Sequence, residues 1–96
     1  DLVDLESRNG IYYPDSSTIN LRGDVVDKSQ NLGITLLALS LSANLDEGGM
    51  VSNEPVRMER SDGVVTANAM EVSDRGKRII FKGDARMTLH NDANDQ

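Results

Sequence analysis

Cysteine and tryptophan are absent from this 96-residue chain, and its aromatic set is limited to Tyr12, Tyr13 and Phe81. Without cysteine there is no disulfide, no thiol nucleophile and no thiolate zinc site. With so few rings the core must be aliphatic, and a polysaccharide-binding solenoid built on stacked aromatic platforms is disfavoured. Basic charge is scarce as well: 10 Lys and Arg stand against 16 Asp and Glu, a formal net charge of −6. Nucleic-acid binding depends on clustered cations that contact phosphates, and docking onto an anionic membrane surface draws on the same attraction; neither is expected. No window approaches the roughly 18 apolar residues that span a bilayer, and no signal peptide is visible. The first residue is Asp rather than Met, so the chain is read as a piece of a longer protein whose targeting or anchoring segment lies upstream.

Catalytic groups are equally thin. The single histidine, His90, stands on a polar face beside the polar run 91–96, and a solvated role is expected for it. Many carboxylates, among them Asp15, Asp46, Asp62 and Asp74, fall in turn segments, where Asp is favoured for local backbone hydrogen bonding. The segment 91–95 offers oxygen ligands but lacks the glycine and terminal Glu of a calcium loop. No enzyme activity, metal or cofactor is expected.

What the chain does contain is a repeated β pattern. Thr18-Ile19-Asn20-Leu21-Arg22-Gly23-Asp24-Val25 matches Arg78-Ile79-Ile80-Phe81-Lys82-Gly83-Asp84-Ala85, with the apolar residues and the Gly-Asp corners in register. A looser copy runs from Gly48 through Met58. A unit of about thirty residues falls within the range of stacked repeat architectures. Around these copies the chain reads as short strands punctuated by turn chemistry. Asn9-Gly10 is read as a hairpin turn; Pro14-Asp15-Ser16-Ser17 and Ser61-Asp62-Gly63 are read as further turns. The most apolar run, Ile34–Leu45, has Leu37, Leu39, Leu41, Ala43 and Leu45 at odd positions and Ala38, Ser40, Ser42 and Asn44 at even ones. Leu and Ala favour helix, yet period two over nine residues predicts a strand. Pro55 interrupts a ladder because it has no N–H to donate. At Asn68-Ala69 the apolar phase slips by one, and a bulge is expected there. Asp27 occupies a place where an apolar residue is due, and it is expected at an open end of the sheet, in water.

These signals predict an all-β fold: a twisted antiparallel β-jellyroll, or open β-sandwich, built from repeated short hairpin units. One domain is expected over residues 1–90, followed by a disordered polar tail over 91–96. Such a small chain buries only about 60–65% of its unfolded surface, so the core is thin. An inner face of slim aliphatic side chains is compatible with either a plain core or a groove for acyl chains, and periodicity alone does not separate the two.

The ordered series Gly10-Ile11-Tyr12-Tyr13-Pro14-Asp15, Leu21-Arg22-Gly23-Asp24-Val25, Gly49-Met50-Val51-Ser52-Asn53-Glu54-Pro55-Val56, Gly63-Val64-Val65-Thr66-Ala67-Asn68-Ala69-Met70 and Phe81-Lys82-Gly83-Asp84-Ala85-Arg86-Met87 resembles the periplasmic LptC family, within the wider group of LptA, LptC and OstA-like β-jellyrolls. The resemblance covers Leu5 to Leu89. It implies a jellyroll whose hydrophobic interior binds the acyl chains of lipopolysaccharide and passes them from the inner-membrane LptB/LptF/LptG transporter to LptA. It also implies a periplasmic location, with tethering to the inner membrane through an anchor absent from this chain. An LptA-like sibling of the same bridge, or a β-repeat module without ligand, remains open. With a net charge of −6 the domain is not expected to clamp anionic phosphates, so the phosphorylated sugars would ride outside while acyl chains lie within. The expected lipid-binding lining is Ile34, Leu39, Leu41, Leu45, Val51, Val56, Met58, Val65, Met70, Val72, Phe81, Ala85 and Met87. The expected partner edge, facing LptA, is the strand Asp84, Ala85, Arg86, Met87, Thr88, Leu89 and His90, which alternates cleanly and lacks proline.

Overall fold

A computed structural model describes residues 3–90, which form ten β-strands and a single 3-10 turn at Asp74–Gly76. The strands are β1 (Val3–Glu6), β2 (Asn9–Tyr13), β3 (Thr18–Ser29), β4 (Ile34–Asn44), β5 (Gly49–Ser52), β6 (Val56–Arg60), β7 (Gly63–Ala67), β8 (Ala69–Ser73), β9 (Arg78–Lys82) and β10 (Arg86–Leu89). Every pairing is antiparallel. The polar segment 91–96, expected as a tail, lies outside the described residues.

The pairing has a simple logic. Strands β3 and β4 form a long hairpin. On one flank β3 pairs with β2 through its first half and with β1 through its second. On the other, β4 pairs with β6 through its first half and with β5 through its second. From β5 the sheet continues to β8 and β9, and from β6 to β7 and β10. The chain therefore runs as an up-and-down meander of six long strands, each bent near its middle. The bends divide one sheet into two layers, β2-β3-β4-β5-β8-β9 and β1-β3-β4-β6-β7-β10, which share the central hairpin. The result is a curled, half-barrel form of open β-jellyroll, 54 Å along its longest axis.

The Gly-Asp repeats form two of the bends. Gly23 and Asp24 interrupt the β3–β4 register between Arg22 and Val25, both in the left-handed region. Gly83 and Asp84 do the same between β9 and β10. A third bend falls at Asn53-Glu54-Pro55. There Ser40 Oγ donates to Glu54 Oε2 at 2.7 Å and Ser52 Oγ donates to the Glu54 carbonyl at 3.2 Å, while Pro55 removes a donor that a continuous ladder would need. The thirty-residue period thus corresponds to two long strands, and the bends at 23–24, 53–55 and 83–84 recur at that interval. Asn68 is the bend between β7 and β8; its N–H reaches the carbonyls of Lys82 and Gly83. The inward phase moves there from Val65 and Ala67 to Met70 and Val72, as the expected slip requires.

The core follows the inner faces of both layers: Leu21, Val25, Leu36, Ala38, Leu41, Val56, Ala67, Met70 and Val72, with Ile19, Met50, Met58, Ile79 and Phe81 packed against them. Full burial of one such large aliphatic side chain contributes about 1.5–3 kcal/mol.

Two sequence expectations change at this level. Asn9-Gly10 is not a turn: both residues begin β2 and pair with Arg22 and Leu21. The odd-numbered face expected along Ile34–Leu45 holds only in part. Leu41 and Ala43 point inward, but beyond the bend the inward residues are Leu36 and Ala38. The Gly23–Asp24 insertion on the facing strand reverses the parity at Leu39 and Ser40.

Candidate functional site: an apolar groove between two sheet layers

Directly opposed residues on antiparallel strands share a face, so the register can be read as rows crossing each layer. In one layer a row runs Leu5, Asp27, Leu36, Met58, Val65, Met87. In the other a row runs Tyr12, Ile19, Ala43, Met50, Val72, Ile79. Between the layers lies a groove of about 270 Å3, lined by Leu36, Met50, Met58, Met70, Val72 and Ile79. Its mouth is formed by Ser29, Leu32 and Ile34 from one layer and by Gly48, Arg75 and Gly76 from turns of the other. This volume lies near the small end of ligand sites, about 300–1,000 Å3. A larger hollow of about 570 Å3 on the surface is walled by Asn9, Asn20, Arg22, Ser40, Asn53 and Glu54 as much as by apolar groups, and it lacks the apolar lining of the interior groove.

Asp27 stands in the apolar row and lines the same groove. It is 7% exposed, and its Oδ1 has no hydrogen-bond partner. Burial raises its carboxyl above the ordinary value of 3.8. The expectation that this charge sits wet at an open end is therefore corrected. Among the groove-lining residues only Arg75 carries another charge.

The expected lining residues divide into three groups. Leu41, Val56, Val65, Met70 and Val72 are buried in the interior; Ile34, Met58 and Phe81 are half-buried against it. Leu39, Leu45 and Val51 are exposed, and their assignment to the interior is corrected. Leu39 falls at the parity reversal, Leu45 in the turn after β4, and Val51 between the inward Met50 and Ser52. Ala85 is exposed at the corner before β10 rather than on the inner face. Met87 does occupy the inner row, but at its open end, where it is 65% exposed. Leu36, Met50 and Ile79 belong to the groove and were not expected there. Ile79 could have been found through its match to the inward Ile19 in the repeat, and Leu36 only by knowing where the bend falls.

The expected partner strand is shorter than the run 84–90. Asp84 and Ala85 form the corner, and β10 covers Arg86–Leu89. Among the described residues β10 pairs with β7 alone, so its second edge is open. The N–H of His90 donates to the Asp62 carbonyl at 2.8 Å. Because N–H directions alternate along a strand, Thr88 and Arg86 also point toward β7. The N–H groups of Met87 and Leu89 point outward.

A curled antiparallel sheet with a slim apolar interior and open edges defines the class, a β-jellyroll that carries its apolar lining between two layers. The family model for lipopolysaccharide-assembly, LptC-related proteins matches residues 2–90, and the chain belongs to that family. A search of curated proteins returned no match. Family membership assigns the chain to lipopolysaccharide transport, in which the LptC domain is periplasmic.

Proposed function

We propose that the interior groove receives the acyl chains of lipopolysaccharide and that the domain, over residues 1–90, hands them from the inner-membrane LptB/LptF/LptG complex to LptA. The observation that supports this most is the apolar row of the β1-to-β10 layer. It does not stop short of the sheet edges: Leu5 is 38% exposed at one end and Met87 65% at the other. A sealed core would tuck such residues away; a row that reaches both edges offers apolar continuity to a neighbour on either side. The open edge of β10 can extend the sheet by strand addition, using backbone groups rather than a particular side-chain code. Acyl-chain affinity needs no basic patch, since each buried methylene contributes about 0.8 kcal/mol, in keeping with the net charge of −6. Tethering to the inner membrane belongs to the same proposal.

Thermal melting of the purified chain with and without lipopolysaccharide tests the reading. At about a hundredfold excess over Kd, binding stabilises by about 2.7 kcal/mol, enough to raise Tm by roughly 10–20 °C in a domain of this size. The delipidated polysaccharide should leave Tm unchanged. An unchanged Tm with the intact lipid, at concentrations where the family's ligand is soluble, contradicts the proposal and favours a ligand-free module.

A further inference from the structure

Asp27 is the one acidic group in the groove, and its position is unusual. It lies between Leu5 and Leu36 in a row that is otherwise apolar. Its side chain is nine-tenths buried, and Oδ1 lacks any partner. A buried polar atom left unpaired costs about 1–3 kcal/mol. An aliphatic residue there would remove that cost and fill the core. A carboxyl group kept at such a place, aimed into a cavity, fits a polar atom that arrives with the ligand.

We infer that Asp27 is a specificity-determining contact for a hydroxyl group carried on the acyl chain of the bound lipid. The inference rests on the acyl-chain reading above and names the kind of chain. The choice of hydroxyl follows from the surroundings. A cation would need further oxygen ligands, and among the described residues no group of three His, Asp or Glu side chains could share it. An ammonium group would carry its own desolvation cost into an apolar groove. A hydroxyl is neutral, small enough to travel with a chain, and able both to donate and to accept. It therefore satisfies the carboxyl in either protonation state. Its place along the chain follows too. Asp27 lies one inward position from Ser29 and the mouth, so the hydroxyl belongs a few carbons from the polar end rather than at the methyl terminus.

The test compares two neutral ligands that differ by one hydroxyl, methyl laurate and its β-hydroxylated counterpart. Each displaces N-phenylnaphthylamine, a dye that fluoresces in apolar surroundings, from the 96-residue chain. The wild-type chain should bind the hydroxylated ester about tenfold more tightly, the effect of one hydrogen bond to an otherwise unpaired buried group. Asp27→Leu should bind both esters equally, and its thermal melt should show it folded. Equal binding of both esters by the wild-type chain overturns the role of Asp27 and leaves the acyl-chain reading intact. A preference that persists in Asp27→Leu does the same. If neither ester displaces the dye, both readings are overturned.

Discussion

Asp24 and Asp84, sixty residues apart, adopt the same left-handed backbone, φ 49° at each, directly after a left-handed glycine, Gly23 at 89° and Gly83 at 80°. Each meets a polar partner at the bend of the neighbouring strand. Arg8 pairs with Asp24 at 2.7 Å, and Asn68 Nδ2 donates to Asp84 Oδ2 at 3.3 Å. Backbone bonds repeat the arrangement: Arg8 N–H to the Gly23 carbonyl and Asn68 N–H to the Gly83 carbonyl, both at 2.9 Å. The chain builds one joint twice, and these joints divide the sheet into the two layers that enclose the groove.

Alanine at either joint glycine should therefore be costly. A left-handed backbone costs a residue with Cβ roughly 1–2 kcal/mol. In addition, the new Cβ would lie 3.0 Å from Arg8 Cβ at Gly23, or from Asn68 Cβ at Gly83. Gly33 is also left-handed, at φ 64°, but a Cβ there meets nothing within 4 Å. Gly23→Ala and Gly83→Ala should lower Tm more than Gly33→Ala does, each kcal/mol counting for about 4–8 °C. Equal losses at all three positions would mean that the bends are not tightly packed joints.

Asp27 should destabilise the ligand-free domain at neutral pH. Its folded-state carboxyl is raised above 3.8 by burial, so the folded chain holds this proton more tightly than the unfolded chain. Stability from this group is thus greatest at low pH and falls as pH rises from about 4 through the raised value. Asp27→Asn should be more stable than the wild type at pH 7, because the amide carries no charge to be desolvated by burial. The difference should shrink toward pH 4, read from denaturant unfolding of both chains across that range. Arg75, the other charge on the groove, is present in both and cancels in the comparison. A difference that grows on acidification would reverse the sign of the account.

At the open edge the alternation of N–H groups separates two substitutions one residue apart. Met87→Pro deletes an outward donor and keeps the bonds to β7, and proline is tolerated on that side of an edge strand. Thr88→Pro deletes a donor to β7 and should loosen β10 itself. Met87→Pro should keep its melting temperature within a few degrees and lose binding to LptA, measured by calorimetry against purified LptA. Met87→Leu, which retains the N–H, should bind normally. Unimpaired binding by Met87→Pro would exclude sheet extension at this edge.

Much of this architecture can be read from the sequence, because side-chain alternation and turn chemistry are local. The strand character of Ile34–Leu45, the phase slip at Asn68 and the repeated Gly-Asp corners all depend on neighbouring residues. What cannot be read locally is the effect of one strand on another. Leu39 continues the odd-numbered apolar series in sequence, yet it is exposed because the insertion at Gly23–Asp24 on β3 shifts the register of β4. Val51 lies on a strand of four residues, too short for its own pattern to fix a face. The burial of Asp27 is also a tertiary fact: nothing in Val25-Val26-Asp27-Lys28 distinguishes a carboxyl held in a groove from one at a wet strand end.

Site-specific photo-crosslinking in cells tests the central claim most directly. A photoreactive residue at Met58 or Ile79, both on the groove, should capture lipopolysaccharide. The same residue at Arg57, Leu39 or Val51, all exposed, should not. Capture at the groove positions alone is the predicted result. Equal capture at all five positions, or capture confined to the exposed ones, would contradict an interior route for the lipid.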